Sequence, residues 1–460
     1  MSEINTHAVK LIELLEQQDF NAVKDCVEEY SVHELIDIIP DLRPEEQLLL
    51  FRALDREPAC QTFENLEVNL QEDLLDLLPA RTLQLVLNDM SPDKRTQLLE
   101  ELPVDKLNRQ LKVLTPKERD VAISLLGYPE NSIGRLMTPD YIAIKYDWTV
   151  EHVLNHIREN GEDKETLNVL YIVDEKGKLL DDIRVREILL NAPEVIVHEL
   201  SDGKFVALNV TDDEEVAINI FKQHNRVALP VVDSKGILLG IITIDDVLQL
   251  QEEETTEDIQ KIGGVEALEE PYMETPLLQM IRKRAVWLLV LFVGELFTAS
   301  AMGYFEDEIA KAVVLALFVP LIVSSGGNSG SQASTLIIRA MALGEVTIND
   351  WWQIMKREIA AGLILGLLLG MLGFLRIAIY ESFTRIYGDH WILIGMTVSF
   401  SIVGVVTWGT IMGSMLPLLL KRFGADPATS STPFIATLVD VTGLVIYFSI
   451  AVLLLSGTLL

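Results

Sequence analysis

Three patterns of apolar and polar positions follow one another along the chain. Over residues 1–130 the apolar positions keep helical spacing, as at Leu11, Leu14 and Leu15, and strand signals are nearly absent. A 24-residue period runs through this segment, with Pro44, Val68, Pro92 and Pro116 at equivalent points. Each is followed by an apolar triplet: Leu50, Phe51, Leu54; Leu74, Leu75, Leu78; Leu98, Leu99, Leu102; Ala122, Ile123, Leu126. Proline fits the first turn of a helix, where its missing N–H is not needed. Asp41, Asp89 and Ser91 stand where helix caps belong. Short helices that bury these triplets against one another predict an all-α superhelical domain.

Over residues 131–250 the period changes to alternation. The stretch 169–189 repeats as 228–248 at an offset of 59, matching Asp174 with Asp233, Gly177 with Gly236, Leu180 with Leu239 and Leu189 with Leu248. Each copy reads strand, tight Lys-Gly turn, strand, helix. Upstream, Thr149–Asn160 and Thr211–Asn225 read as helices, the second opened by a Thr211/Glu214 capping box.

From 285 onward five apolar runs reach spanning length, at about 285–305, 309–325 (continuing to 343), 358–380, 391–420 and 433–459. The second run is interrupted by Gly326-Gly327-Asn328-Ser329-Gly330, which reads as irregular backbone whose carbonyls face a permeation route. Gly362, Gly366, Gly370 and Gly373 follow the spacing of close helix packing. Pro417 and Pro433 mark boundaries or kinks.

Charge divides the chain the same way. The net charge is −32, and residues 285–460 hold eleven acids against eight bases, so −29 of it lies before residue 285. Such acidity excludes nucleic acid as a partner, which needs clustered Lys and Arg, and suits cations. Cys26 and Cys60, the only cysteines, form neither a zinc spacing nor a disulfide framework, and fit a reducing compartment. The first apolar residues belong to an amphipathic pattern, so no signal peptide is expected. Arg282, Lys283, Arg284, Arg339, Lys356, Arg357, Lys421 and Arg422 flank the spans on one side, and Glu306, Asp307, Glu308, Glu381 and Asp389 on the other. The positive-inside rule then puts the amino-terminal half in the cytosol and the carboxyl terminus outside.

The candidate chemistry lies in carboxylates. Glu295 and Asp440 are acids inside spans, where a central Asp costs about 2.5–3.5 kcal/mol and is expected to face a pathway or partner. Thr437 precedes Asp440 by one turn; with Ala436, and with Gly327 and Asn328 of the glycine stretch, it completes the candidate pore set. Glu295 lacks polar neighbours, so burial and ion contact both stay open for it. From Asp245 to Asp258 seven acids occur without a base, stacking Glu253 on Glu257 and Glu254 on Asp258. Each like-charge pair costs a helix roughly 0.2–0.5 kcal/mol, a strain that Mg²⁺ or Ca²⁺ would relieve. His152 and His156 are four apart but lack a surrounding HExxH and read as a solvated helix face.

The duplicated module resembles a pair of CBS domains, a tandem regulatory unit that binds adenosine ligands or metal ions. Met137-Thr138-Pro139 fits its start, and Thr243 and Asp246 in GIITIDDVL fit its ribose-contacting positions, for a nucleotide such as ATP. In the first copy Asp181 stands where the second has Gly240. The segments SSGGNSGSQASTLIIRA, GADPA (424–428) and TLVDVTG (437–443) resemble the signatures of the MgtE family of Mg²⁺ channels. That resemblance implies a multidomain chain: a helical superhelix (1–130), a tandem CBS α/β pair (131–250), an acidic connecting helix (244–284) and a polytopic α-helical membrane domain of five spans (285–460). It implies a homodimer in the cytoplasmic membrane with its pore on the two-fold axis, and a hydrated Mg²⁺ held by Asp440. Closure by cytosolic Mg²⁺ would run through Asp246, Glu254, Glu257 and Asp258, with Asp89 as a further candidate; Gln249 stands where an acid is expected. The expected function is Mg²⁺ uptake, with no chemistry on a substrate. Three rivals are a Co²⁺ transporter, a membrane-anchored nucleotide sensor, and an intramembrane protease, the last disfavoured by the missing HExxH and the lack of a second intramembrane Asp.

Overall fold

A computed structural model describes residues 4–268, 272–273 and 275–459. The chain divides into two compact units, residues 1–251 and 252–460.

In the first unit the 24-residue period is a helix period. Pro44–Ala53, Val68–Leu77, Pro92–Glu101 and Pro116–Leu126 each begin at a marked position, and a second helix fills most of each interval. Leu50, Phe51, Leu74, Leu75, Leu98, Leu99 and Ala122 are buried in one continuous core. Ile123 is not: it is 52% exposed, because the last repeat has no following repeat to cover it. A polar device shares the period. Gln47 donates to the carbonyl of Ile39 (3.1 Å), Gln71 to Phe63 (2.8 Å) and Arg95 to Leu87 (3.2 Å), so each of the first three repeat helices satisfies a carbonyl eight residues back. Of the three expected caps only Ser91 takes the N-cap position, and none makes a side-chain cap bond. Asp89 closes the helix Ala80–Asp89, and Ser91 precedes Pro92–Glu101 without a side-chain cap bond. Asp41 ends a short 3₁₀ turn.

The duplicated module forms two matching three-stranded sheets. In the first, β1 (Ala143–Ile144) pairs parallel with β2 (Val169–Val173), which pairs antiparallel with β3 (Leu179–Arg184). The second repeats this with β4 (Leu208–Asn209), β5 (Ala228–Val232) and β6 (Leu238–Thr243), down to a register shift at the same repeat position. Both Lys-Gly turns use a left-handed glycine, Gly177 (φ 79°) and Gly236 (φ 81°), a conformation only glycine enters at little cost. Thr149 caps its helix through the His152 N–H (3.3 Å). The Thr211/Glu214 capping box does not form: Thr211 donates to Asn209, and the helix starts later, at Glu215.

The connecting helix runs Ile244–Ile262, shorter than the acidic segment predicts; the described residues between 263 and 276 are not helical. Among its described residues the second unit has five helices long and apolar enough to cross a membrane: span 1 Leu277–Tyr304, span 2 Val313–Ala342, span 3 Ile348–Thr384, span 4 Gly388–Arg422 and span 5 Thr432–Leu455. Trp351 and Trp352 sit at the start of span 3 beside Lys356, an interfacial arrangement.

The expected backbone break in span 2 is absent. Residues 319–342 form one α-helix, and Gly326 to Gly330 keep their carbonyls in its hydrogen-bond ladder. In lipid an unsatisfied backbone group costs several kcal/mol, and the surrounding spans hold these glycines helical. Their use is close approach. A Cβ on Gly409 would fall 2.4 Å from the Gly326 carbonyl oxygen, and one on Gly413 only 2.0 Å from that of Gly330. Spans 2 and 4 therefore cross backbone to backbone, and the Gly362–Gly373 series of span 3 also packs against span 4, where added Cβ atoms would meet neighbours at 2.5–3.1 Å.

Candidate cation route and its cytosolic carboxylates

Span 5 is started by Ser431, whose Oγ accepts the Phe434 N–H (3.3 Å), with Pro433 in the first turn. That start sets Asp440 two turns into the helix. Glycine at position 327 lets span 2 approach it: a Cβ there would lie 3.4 Å from Asp440 Oδ1 and 3.5 Å from Ala436 Cβ. Gly327, Ala436 and Asp440 are thus brought together. Thr437 faces span 1 instead, with its Cγ2 2.6 Å from where a Cβ of Gly294 would stand. Asn328 is on an exposed face of span 2 and donates to Ser324 Oγ (3.4 Å). Among the described residues Asp440 has no hydrogen bond or ion pair, although it is within electrostatic reach of Glu295. Trp408, one helix over, donates to Thr442 (2.9 Å) and leaves the aspartate alone.

The acids of the connecting helix separate into two groups. Asp246, in its first turn, belongs to the first unit. It accepts from Thr243 Oγ1 (2.9 Å), and its other oxygen is 3.5 Å from the Lys94 ammonium, which also donates to Gln249 (2.6 Å). So Gln249, where an acid was expected, anchors a lysine. The pair read as ribose contacts, Thr243 and Asp246, bond each other and are both buried. Gly240 lets Thr138 close on that strand, with a Cβ there 2.7 Å from the Thr138 carbonyl. At the matching place in the first copy Asp181 is buried and accepts from Ser201 Oγ and the Gly203 N–H (2.9 Å), so its carboxylate is consumed structurally.

Asp93 is the residue sequence reading missed. It is 8% exposed, its Oδ1 has no hydrogen-bond partner among the described residues, and it shares its surroundings with Asp246 and Glu165. Burial first, and then the Asp246 charge, hold its carboxyl well above the ordinary range. Burial likewise raises Asp246, against the pull of Lys94, and pushes Glu165 up to about 7 with help from Asp246 and Asp245. The available signal was its place directly after the helix-starting Pro92, whereas the sequence reading singled out Asp89, before that helix, as a cap. Asp89 itself is spent in an ion pair with Arg56, which donates to both of its oxygens, one at 2.6 Å.

The later acids belong to the second unit. Lys261, just beyond the acidic run, bridges Glu257 (2.6 Å) and Asp426 of the loop before span 5 (2.8 Å), with Asp258 close by. Burial works against its ammonium, but the two carboxylates outweigh it and raise Lys261 above its ordinary value. Burial and the Asp426 charge raise Asp258. Glu254 lies one turn before Asp258 on the same helix. Part of the expected like-charge strain is therefore relieved by a built-in cation. Among the described residues no three His, Cys, Asp or Glu side chains converge as a ready-made metal cage. His152 and His156 flank the Trp148 ring (4.3 and 4.9 Å).

Comparison with known proteins covers nearly the whole chain. A family model described as divalent cation transporter, MgtE, matches residues 319–450. The MgtE intracellular N domain matches 30–131, and the CBS domain matches 133–193 and 197–253. The magnesium transporter MgtE of Thermus thermophilus is 35% identical over 453 residues, covering 98% of this chain and 99% of that protein. That of Bacillus subtilis is 27% identical over 444 residues, 96% of each. A crystal structure of the cytosolic domain of the Mg²⁺ channel MgtE in complex with ATP aligns with TM-score 0.51 at 32% identity, over 53% of this chain and 99% of that one.

Proposed function

From the premise that this chain belongs to the MgtE family of divalent cation transporters, we propose that it carries Mg²⁺ across the cytoplasmic membrane and is closed by Mg²⁺ at its acidic cytosolic carboxylates. The observation that carries the first part is the unpaired Asp440 at the close crossing of spans 2 and 5. An uncompensated carboxylate at bilayer depth is expensive unless a cation visits it. Mg²⁺ gives up its waters reluctantly, so a route lined by one carboxylate and the small residues Gly327 and Ala436 can pass it largely hydrated. Two copies of the chain would set two such aspartates opposite each other, and a divalent ion gains twice what a monovalent ion gains from each. The basic flanks of the spans support a cytosolic amino-terminal half and an outer carboxyl terminus. The activity is transport; no chemistry on a substrate is assigned.

Closure would use both groups of the connecting helix. Asp93 and Asp246 are buried acids with Lys94 beside them and the exposed Glu165 close by, and Glu257, Asp258 and Asp426 share Lys261, with Glu254 one turn before Asp258. Hydrated Mg²⁺ entering either group lowers the repulsion that otherwise loosens it. ATP, present with the related cytosolic domain, would be recognised at the second CBS copy through Thr243, in competition with its bond to Asp246.

The test is Mg²⁺ flux into proteoliposomes. Asp440→Ala should abolish flux while the purified protein keeps the thermal midpoint and oligomeric size of the parent. Normal flux in that variant would favour the membrane-anchored sensor, and a preference for Co²⁺ in the parent would change the assigned cargo.

A further inference from the structure

Glu295 is the intramembrane acid that the reading of Asp440 leaves without a role. Span 1 meets span 5 at Gly294, where any side chain would strike Thr437. The contact fixes the relative depth of the two acids. Spans 1 and 5 run in the same direction, four reversals apart, so Glu295 stands one residue beyond the contact and Asp440 three. At 1.5 Å per residue their Cα atoms differ in height by about 3 Å. Both flank one helix crossing, and they are within electrostatic reach of each other. Neither has a hydrogen bond or an ion pair with a described residue, and no basic residue lies within spans 1 or 5 beyond the cytosolic flank of span 1. One turn past Glu295, Thr298 turns its hydroxyl inward, inaccessible to solvent and without a partner among the described residues.

We propose that Glu295 is a second carboxylate of the cation route and a determinant of its selectivity for divalent over monovalent ions. The proposal rests on Asp440 as the ion-binding acid and adds a second negative charge per chain at the same depth. A hydrated Mg²⁺ at Asp440 keeps outer-sphere contact with Glu295 through its waters, whereas a monovalent ion gains half as much from the added charge.

The test uses the full-length protein in proteoliposomes, reading half-saturating Mg²⁺ and the ratio of Mg²⁺ to Na⁺ flux. Glu295→Gln should raise half-saturation and lower the ratio, each by about tenfold, with rescue by Glu295→Asp. Glu295→Cys provides a check on charge in protein that is already folded, since the native Cys26 and Cys60 are buried. A sulfonate-bearing methanethiosulfonate should restore the ratio and an ammonium-bearing one should depress it further. If the Gln and Cys variants match the parent in both readings while Asp440→Ala is silent, Glu295 is outside the route and only this inference fails. If Asp440→Ala conducts normally, the underlying assignment fails with it.

Discussion

At the scale of single residues, buried acids decide how the soluble unit behaves. Asp93 has an inaccessible oxygen with no hydrogen-bond partner among the described residues and lies beside the charge of Asp246. A carboxylate in that position costs stability when ionised, because it has lost water and faces the Asp246 charge, and Lys94 offsets only part of this. Asp93→Asn keeps the shape and removes the charge. In excess EDTA it should stabilise the first unit by about 1–3 kcal/mol, seen as a higher thermal midpoint of the full-length protein. The further rise on adding Mg²⁺ should shrink, because one of the groups a cation would neutralise is gone. An unchanged Mg²⁺ increment would detach Asp93 from cation binding. Lys94, its chain neighbour, shows why the position was hard to read: a Pro-Asp-Lys helix start looks like ordinary first-turn chemistry until the fold sets Asp246 beside it.

At the scale of elements, the membrane unit is governed by how closely backbones approach. The contact of Gly413 with the Gly330 carbonyl is to main chain, so no side-chain rotation can relieve an added methyl group. Gly413→Ala should therefore lower stability by about 1–3 kcal/mol or more, measured as a drop in the thermal midpoint of detergent-solubilised protein. Gly344→Ala, with open space but a left-handed φ of 70°, is the comparison for backbone strain without a clash. Much of this level was legible in the chain. The repeat helices start at their marked positions, the twin sheets repeat with their glycine turns, and five spans occur where five apolar runs stand. The run Gly326 to Gly330 misled because glycine weakens a helix locally, whereas here close packing against span 4 overrides that propensity. The Thr211/Glu214 box likewise gave way to Asn209, which draws the threonine into its own turn. The convergence of Asp440 with Gly327, and of Lys261 with Asp426, depends on contacts 113 and 165 residues apart, which no local pattern encodes.

At the scale of the whole molecule, a charge of −32 concentrated before the membrane spans makes protons and divalent cations alternative ligands of the same acids. Glu165 shows the consequence most directly. Its carboxyl is raised to about 7, by burial and then by Asp246 and Asp245, so the folded unit holds this proton more tightly than the unfolded chain does. A raised carboxyl contributes stability that is full below its ordinary value of 4.5 and is lost as pH rises through about 7. The upward shifts of Asp93 and Asp246 act in the same direction. Metal-free protein should thus be more stable at about pH 5.5 than at about pH 8, and Mg²⁺ should stabilise it more at the higher pH, where the acids are ionised. Thermal unfolding in EDTA and in excess Mg²⁺, across that range, measures both effects at once. A Mg²⁺ increment that stayed flat with pH would mean the cation binds elsewhere, and the link between the buried acids and closure would be lost.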